Sequence, residues 1–411
     1  MATPPIFAIV GASLAGAKAA EALREQGFDG EVVLFGAETH LPYERPPLSK
    51  GYLKGSEGRD SFVVHPREWY DEQRVELRLA TEVTGLDVKE HRLRTADGAE
   101  TTYDRLLIAT GSSPRRLAMP GADAYNVRYL RTVDDSNALR AAINADARLV
   151  IVGAGWIGLE VAAAANEAGA SVTVVESLDL PLLRVLGPEM ATVFADLHRE
   201  HGVDLRLGAS LASITAEAGR ATYVLLGDGS DIPASLIVVG IGITPNTALA
   251  EAAGLEVANG IVVDDSLRSS DPDVFAAGDV ANAQHPLLGR RIRVEHWANA
   301  LNQPAVAAKA MRGEPASFDL LPYFYTDQYD LGMEYVGYVG PGDDTHVVVR
   351  GDTAGREFVA FWLDRQDRVQ AGMNVNVWDV VDDVKALITA NRPVDVAALT
   401  DPDVPFADAL Q

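Results

Sequence analysis

Residues 149–176, LVIVGAGWIGLEVAAAANEAGASVTVVE, constrain this chain more than any other stretch. Leu149, Val150, Ile151 and Val152 read as a buried strand. Gly153-Ala154-Gly155-Trp156-Ile157-Gly158 follows, then an alanine-rich helix, then a second strand that ends at Glu176. Each glycine has a physical task in such a unit. Gly153 permits a tight turn, Gly155 lets a pyrophosphate approach the backbone, and Gly158 lets the helix lie close to the strand. The helix N-terminus offers unpaired N–H groups and a positive dipole end to phosphate. Glu176 lies 23 residues beyond Gly153, near the spacing at which a carboxylate accepts hydrogen bonds from a ribose 2′-hydroxyl. The same carboxylate repels a 2′-phosphate, so the spacing predicts NADH over NADPH.

The first residues hold a weaker copy. A short apolar strand at 6–10 leads into Gly11-Ala12-Ser13-Leu14-Ala15-Gly16, an alanine-rich helix to about Gln26, and a second strand at 31–35. Ser13 stands where a glycine is usual and is small enough for a phosphate to approach. The acidic position is displaced, because Gly36-Ala37-Glu38 puts the carboxylate later than in the other unit. Two dinucleotide folds in one chain point to one cofactor held tightly and one that exchanges.

At 411 residues the chain is long enough for two or three domains. No apolar run reaches the length of a membrane span, and the first five residues lack a basic region. No signal peptide is expected, and a cytoplasmic location is. The formal net charge of −24 disfavours nucleic acid as a partner. There is no cysteine, which excludes disulfides, thiolate metal sites, iron–sulfur ligation and any CxxC relay, and no other metal site is expected.

Further along, Pro42-Tyr43-Glu44-Arg45-Pro46-Pro47-Leu48-Ser49-Lys50 reads as a proline-stiffened loop, either a surface turn or a platform that presents Lys50 beside an electron-rich ring. Residues 63–73 read as helix and 75–83 as strand. Residues 93–110 read as strand, Asp97-Gly98 turn and strand, ending in Ala109-Thr110-Gly111. Residues 190–201 read as an amphipathic helix, 203–224 as strands, Asp228-Gly229 as a hairpin turn and 236–242 as a buried strand. Asp279 closes the strand-like run from Asp273, either as a helix cap or at the mouth of a ligand site. Trp297 opens a helix, as a stacking platform or as core. Beyond Tyr323 the alternating runs 335–339, 346–350 and 358–363 predict a small antiparallel sheet, covered by a helix near 378–389.

Eight of these stretches, in order, carry a resemblance over nearly the whole chain. They are GASLAG at Gly11, PYERPPLSKGYL at Pro42, LLIATGSSPR at Leu106, YLRT at Tyr129, GAGWIGLE at Gly153, VGIGITPN at Val239, AAGDVAN at Ala276 and FYTDQYD at Phe324. The chain resembles the FAD-dependent ferredoxin reductases of bacterial oxygenase systems, within the pyridine nucleotide-disulfide oxidoreductase superfamily but without its redox cysteines. The fold implied is α/β and glutathione-reductase-like, with two Rossmann-like domains and a small α+β C-terminal domain. An FAD domain of 1–112 and 241–320 would hold an inserted NADH domain of 113–240, followed by an antiparallel-sheet domain of 321–411.

By position, the resemblance places Gly11, Ser13, Leu14, Ala15 and Gly16 on the FAD pyrophosphate. Ala37 or Glu38 would meet the adenosine ribose and Val83 the adenine side. Arg131 and Asp279 would contact the ribityl-phosphate portion, and Trp297 would lie by the isoalloxazine. Arg45, Thr110 and Gly111 join the same cofactor. Lys50 would sit at the flavin, paired with Glu160, and these two are the catalytic candidates. NADH, the exchanging substrate, would meet Gly153, Gly155, Trp156, Ile157, Glu160, Glu176, Arg184 and Gly242.

The implied activity is NADH:ferredoxin oxidoreductase. Hydride arrives from NADH as an electron pair, and an iron–sulfur ferredoxin, 2Fe–2S by resemblance, takes electrons one at a time and feeds a cytochrome P-450 or a ring-hydroxylating dioxygenase. With no cysteine, the disulfide reductases and cysteine-using oxidases of the superfamily cannot operate here by their usual chemistry. An acidic ferredoxin meeting a chain of −24 needs a local basic patch. The candidates are Arg290, Arg291, Arg293, Lys309 and Arg312, each of which also reads as ordinary surface charge. Rubredoxin, monodehydroascorbate or oxygen as acceptor, or an apoptosis-inducing-factor-like binding switch, are the rival readings. Monomer and weak homodimer both fit.

Overall fold

The computed structural model describes residues 4–411. The chain folds into two compact units, both discontinuous in sequence. The first contains the described part of Met1–Glu44 with Arg59–Ser113 and Thr244–Pro322, and the second contains Arg45–Gly58, Pro114–Ile243 and Tyr323–Gln411.

The first unit is built on a parallel sheet in the order Val274–Ala276, Arg105–Ile108, Ile6–Val10, Glu31–Phe35 and Val75–Arg78. The apolar run from Phe7 to Val10 is buried throughout, as a strand covered on both faces requires. Helix Leu14–Glu25 packs its alanines onto the sheet, and Trp297–Met311 lies against that helix. A separate antiparallel ribbon comprises Val83–Asp87, Arg92–Thr95 and Glu100–Thr102. The strand expected at 75–83 is therefore two strands in two sheets, parted where Ala80 turns with a φ of 49°. The helix expected from 63 begins at Arg67. Pro66 is its N-cap and Val63 instead bridges to Tyr43, since a proline biases what precedes it towards extended backbone.

The second unit repeats the parallel plan in the order Asp204–Arg206, Ser171–Val175, Arg148–Val152, Leu236–Val239 and Val127–Arg128. Each sheet thus has one central strand, Ile6–Val10 or Arg148–Val152, whose neighbours lead away in opposite directions. The buried run expected at 236–242 stops as strand at Val239. The helix expected from 190 starts at Leu183 and is broken at Gly187, whose φ of 74° precedes Pro188. Asn126, 7% exposed, stitches this unit internally. It donates to the carbonyls of Ala221 and Ser235 and accepts from the Ala221 amide.

The last residues of the second unit form an antiparallel sheet, Tyr323–Gln328, Leu331–Gly337, Val369–Val375, Glu357–Asp364 and Thr345–Asp352 in spatial order. Helix Val381–Ala390 covers it. Its core is continuous with that of the sheet around Arg148–Val152. Among the described residues, no helix is long and apolar enough to cross a membrane.

His198, on helix Leu183–Glu200, is fully buried, and its Nε2 lies 2.8 Å from Gln328 Oε1. Burial pushes its imidazole down from the ordinary 6.5 to about 4. Between those two values the unfolded chain binds a proton that the folded chain refuses. Stability is therefore complete above about pH 6.5 and falls as the pH drops towards 4. This one group should withdraw about 2 kcal/mol by pH 5 and about 3 kcal/mol by pH 4. In urea unfolding at pH 7.5 and 5.0, His198→Gln should show the shallower loss. A variant as acid-sensitive as the parent would exclude the histidine as the cause.

Candidate active site

In both parallel sheets the loops at the carboxyl ends of the central strands are where a ligand is met. In the second unit three neighbouring strands end there. After Val152 comes the glycine loop, after Val175 comes Glu176, and after Val239 come Gly240, Ile241 and Gly242. Gly153 takes a φ of 101°, and a Cβ on it would fall 2.4 Å from the Gly240 carbonyl oxygen. A Cβ on Gly158 would fall 2.2 Å from Gly153 O, whereas a Cβ on Gly155 would meet nothing within 4 Å. The protein's own packing thus demands two of these glycines and leaves open space above the third. Ile157 (45% exposed), Val185 (44%) and Ile241 (38%) leave apolar surface uncovered along the loops at this edge. Arg184 is exposed next to Val185, and Gly242 has a φ of 97°. Trp156 is partly buried against Phe194 and Phe324, with centroids 5.4 and 5.2 Å away. Glu176 accepts from Ala154 N at 2.8 Å and Leu178 N at 2.9 Å, so one side of its carboxylate braces the glycine loop.

Helix Trp156–Glu167 has no side-chain cap and no acid in its first turn, and the same holds for Leu14–Glu25. Helix Val133–Ala142 makes the contrast. It carries a full capping box from Thr132 and Asp135, and Asp134 and Asp135 in its first turn. The two helices behind the glycine loops therefore keep unneutralised donors and positive dipole ends, as a phosphate ligand needs.

Two residues beyond Gly158 stands Glu160, only 3% exposed. Lys50 Nζ lies 2.6 Å from its Oε1, the Thr326 hydroxyl donates to the same oxygen at 2.6 Å, and the Ser49 hydroxyl donates to Oε2 at 2.5 Å. The ammonium of Lys50, whose side chain is 15% exposed, also lies 5.5 Å from the centre of the Tyr325 ring. Proline-rich turn Pro46–Ser49 fixes this approach, with Ser136 donating to the Leu48 carbonyl at 2.8 Å. In the same unit Arg45 donates to the Arg131 carbonyl, and Arg131 N donates to Asp135 Oδ2 at 3.0 Å. Ser49 and Thr326 are neighbours of this pair that lie within the quoted motifs but are not among the candidates named from sequence. The adjacency of Ser49 to Lys50, and the alternation of Thr326 with Gln328 on one strand face, are the signals that could have found them.

In the first unit, Gly11 has a φ of 121°, and a Cβ there would fall 2.2 Å from the Ala109 carbonyl oxygen. Leu14, Ala15 and Gly16 form the buried first turn of the helix, and Ser13 caps it by backbone alone, with no hydrogen bond from its hydroxyl. Thr110 and Gly111 are clipped by Asn246, which donates to the Thr110 carbonyl at 2.8 Å and, through its own N–H, to that of Gly111 at 2.9 Å. Ala37 is exposed, while Glu38 is half-buried and accepts from the Tyr43 hydroxyl at 2.6 Å. Glu38 stands three residues past its strand, whereas Glu176 stands directly after its own. Val83 opens the antiparallel ribbon, half-buried. Asp279 lies inside the short turn Gly278–Val280, whose cap is Ala277, so the capping alternative does not hold. Trp297 is half-buried and donates from its indole to Glu44 at 2.9 Å. Turn, small residues and uncapped helix together fit a dinucleotide.

The basic candidates do not form a uniform patch. Arg291 donates to the Val263 and Asn282 carbonyls. Arg293, with a side chain 9% exposed, pairs with Glu295 at 2.5 Å and donates to the Asp279 carbonyl, and Arg312 pairs with Glu314 at 2.9 Å. Arg290, Arg291 and Lys309 are exposed.

With this geometry in hand, comparison with known proteins identifies the family. The pattern described as pyridine nucleotide-disulphide oxidoreductase matches residues 6–304, and a reductase C-terminal pattern matches residues 323–410. The chain belongs to the pyridine nucleotide-disulphide oxidoreductase family. It is 43% identical over 402 residues, 97% of each chain, to the 5,5'-dehydrodivanillate O-demethylase ferredoxin reductase subunit of Sphingobium sp. (strain NBRC 103272 / SYK-6). It is 42% identical over 399 residues, again 97% of each, to the anthranilate 1,2-dioxygenase system ferredoxin–NAD(+) reductase component of Burkholderia cepacia. Among solved structures, the reductase of a covalent putidaredoxin reductase–putidaredoxin complex matches with a TM-score of 0.94 and 38% identity, covering 98% of both chains. This member of the family contains no cysteine with which to make the disulphide of the family's name.

The two glycines of the second loop should separate under mutation. Gly155→Ala should cost at most about 1 kcal/mol in stability, the difference between glycine and alanine at a helix N-cap. It should nevertheless weaken NADH binding by on the order of tenfold or more if the open space above Gly155 takes the pyrophosphate, since the added methyl would fill it. Gly158→Ala should instead lower the unfolding free energy by about 1–3 kcal/mol through overpacking. Thermal melting and NADH titration of both variants test the pair. Unchanged NADH affinity in Gly155→Ala would place the nucleotide elsewhere.

Proposed function

We propose that the protein is a cytoplasmic NADH:ferredoxin oxidoreductase that feeds electrons to an oxygenase, with an iron–sulfur ferredoxin as its immediate partner. The observation that carries this reading is the pair of uncapped glycine-loop helices in a chain without cysteine: two dinucleotide cradles and no internal thiol relay. Relatives named as ferredoxin reductases of oxygenase systems, aligned along nearly their full length, support it.

Residues 1–112 and 241–320 form the FAD domain in this proposal, 113–240 the NADH domain and 321–411 the C-terminal domain. FAD, when bound, supplies the conversion from a hydride's electron pair to single electrons. The chain supplies position and charge. Backbone N–H groups at Gly11–Gly16 hold one pyrophosphate and those at Gly153–Gly158 the other. Thr110, Gly111, Arg131, Asp279 and Trp297 line the flavin, and Arg45 steadies Arg131 through its carbonyl. Glu176 receives the ribose of NADH and turns away a 2′-phosphate. Ile157, Val185 and Ile241 are covered by the bound nucleotide, which excludes water along that edge. Lys50 holds a positive charge where negative charge grows on reduction, and Glu160 fixes where that charge sits. Arg290, Arg291 and Lys309, the exposed members of the basic set, meet the acidic ferredoxin.

Steady-state oxidation of NADH by the purified flavoprotein, with a 2Fe–2S ferredoxin coupled to cytochrome c, should be fast only when ferredoxin is present and should strongly favour NADH over NADPH. Rapid turnover in air alone would make the protein an oxidase. A stable, bleached flavin that reduces no ferredoxin would make it a binding switch. Separately, Lys50→Met should slow flavin reduction by NADH in stopped flow by about tenfold or more. Reduction at the parent rate would remove Lys50 from the mechanism.

A further inference from the structure

The three donors on Glu160 differ in what stands behind them. Lys50 and Ser49 come from the proline-rich turn, but Thr326 is the outer end of a buried line. The Thr326 hydroxyl, 1% exposed, has one proton, and that proton goes to Glu160 Oε1 at 2.6 Å. The hydroxyl can then only accept from its next neighbour, and Gln328 Nε2 donates to it at 3.2 Å. With its NH2 so committed, Gln328 turns its carbonyl oxygen to His198 Nε2 at 2.8 Å, so that nitrogen must carry the imidazole proton. Gln328 and His198 are both fully buried, and His198 Nδ1 has no hydrogen-bond partner among the described residues. A second proton on the ring would have nowhere to donate, in keeping with the downward push that burial gives this histidine. Every donor in the line points the same way, towards a carboxylate.

We propose that Thr326, Gln328 and His198 are positioning residues for the Lys50–Glu160 pair, a one-way line of donors that sets how much of the Glu160 charge is left to hold Lys50. Glu160 Oε1 is shared between Lys50 and Thr326. Without the Thr326 hydroxyl, that oxygen turns wholly to the ammonium, the ion pair tightens, and the positive field available to a neighbouring group weakens. The inference rests on the reading that Lys50 serves the flavin. A purely structural role for the line predicts lost stability and nothing else.

The test uses flavin-loaded protein carrying Thr326→Val, Thr326→Ser, Gln328→Leu or Glu160→Gln. The readouts are the flavin midpoint potential, the limiting rate of reduction by NADH, the NADH dissociation constant and the melting temperature. Thr326→Val should shift the potential negative and slow the limiting rate by about tenfold, the worth of one hydrogen bond to a charged group, with NADH affinity within about twofold of the parent. Thr326→Ser should restore both potential and rate. Gln328→Leu, which leaves Glu160 its three donors but lets the Thr326 hydroxyl turn, should move both in the same direction and less far. It stands in should Thr326→Val not fold. The proposal is overturned if Thr326→Val keeps the parent potential and rate while Glu160→Gln loses them, or if serine fails to rescue. If Glu160→Gln also changes neither, the assignment of Lys50 to the flavin is itself wrong and the positioning role goes with it.

Discussion

A carboxylate in the interior is the constraint on which the second unit depends. Taking Glu160 out of water costs several kcal/mol unless its lone pairs are answered, and the answers come from far apart in sequence. Ser49 and Lys50 arrive on the proline-rich turn and Thr326 on the first strand of the C-terminal sheet, while Glu160 itself rides on the glycine-loop helix. Remove any one segment and a buried charge is left short of partners. The same helix has the uncapped glycine loop, proposed above as a phosphate cradle, at its N-terminus and the ion pair one turn further in. Binding and electrostatics are thus fixed by one rigid element.

The two parallel sheets solve the same problem with different residues. In each, a central strand ends in a glycine turn and the following helix begins without a cap or a first-turn acid. Where a carboxylate braces the second loop directly, as Glu176 does through Ala154 N, the acid sits immediately after its strand. In the first unit Glu38 arrives later and is held by Tyr43. The strict unit is the one proposed above for the exchanging NADH, and the looser one that proposed for FAD.

The central strands, glycine loops and alanine-rich helices were legible in the sequence because their signals are local: apolar runs, small residues at fixed spacing, a terminal acid. Element boundaries were less so. The helix expected from 63 gave way to Pro66, and the one expected from 190 extends back across Gly187, because a proline or a single left-handed residue decides locally what periodicity averages over. The Glu160 line was legible only at its charged end. Lys50 and Glu160 stood out through resemblance. Thr326 and Gln328 lie in the FYTDQYD stretch without a role of their own, and His198 reads as an ordinary helix residue, since the contacts Thr326–Glu160 and Gln328–His198 span more than a hundred positions. Arg293 illustrates the opposite failure, a surface charge by sequence that is largely enclosed by its neighbours.

The interleaving of the two units has a consequence for the order of synthesis. Neither is a continuous stretch, so a ribosome releasing the chain from its N-terminus finishes no unit early. The first lacks its edge strand Val274–Ala276 until residue 274 has been made, and the second lacks Thr326, with the whole antiparallel sheet, until residue 323 and those after it have been made. Throughout that time Glu160 is a carboxylate without its interior donor, and the apolar faces of two half-built sheets wait for strands not yet made. Folding in the cell must therefore be largely a late event that closes long loops at once, the regime in which nascent chains lean most on chaperones.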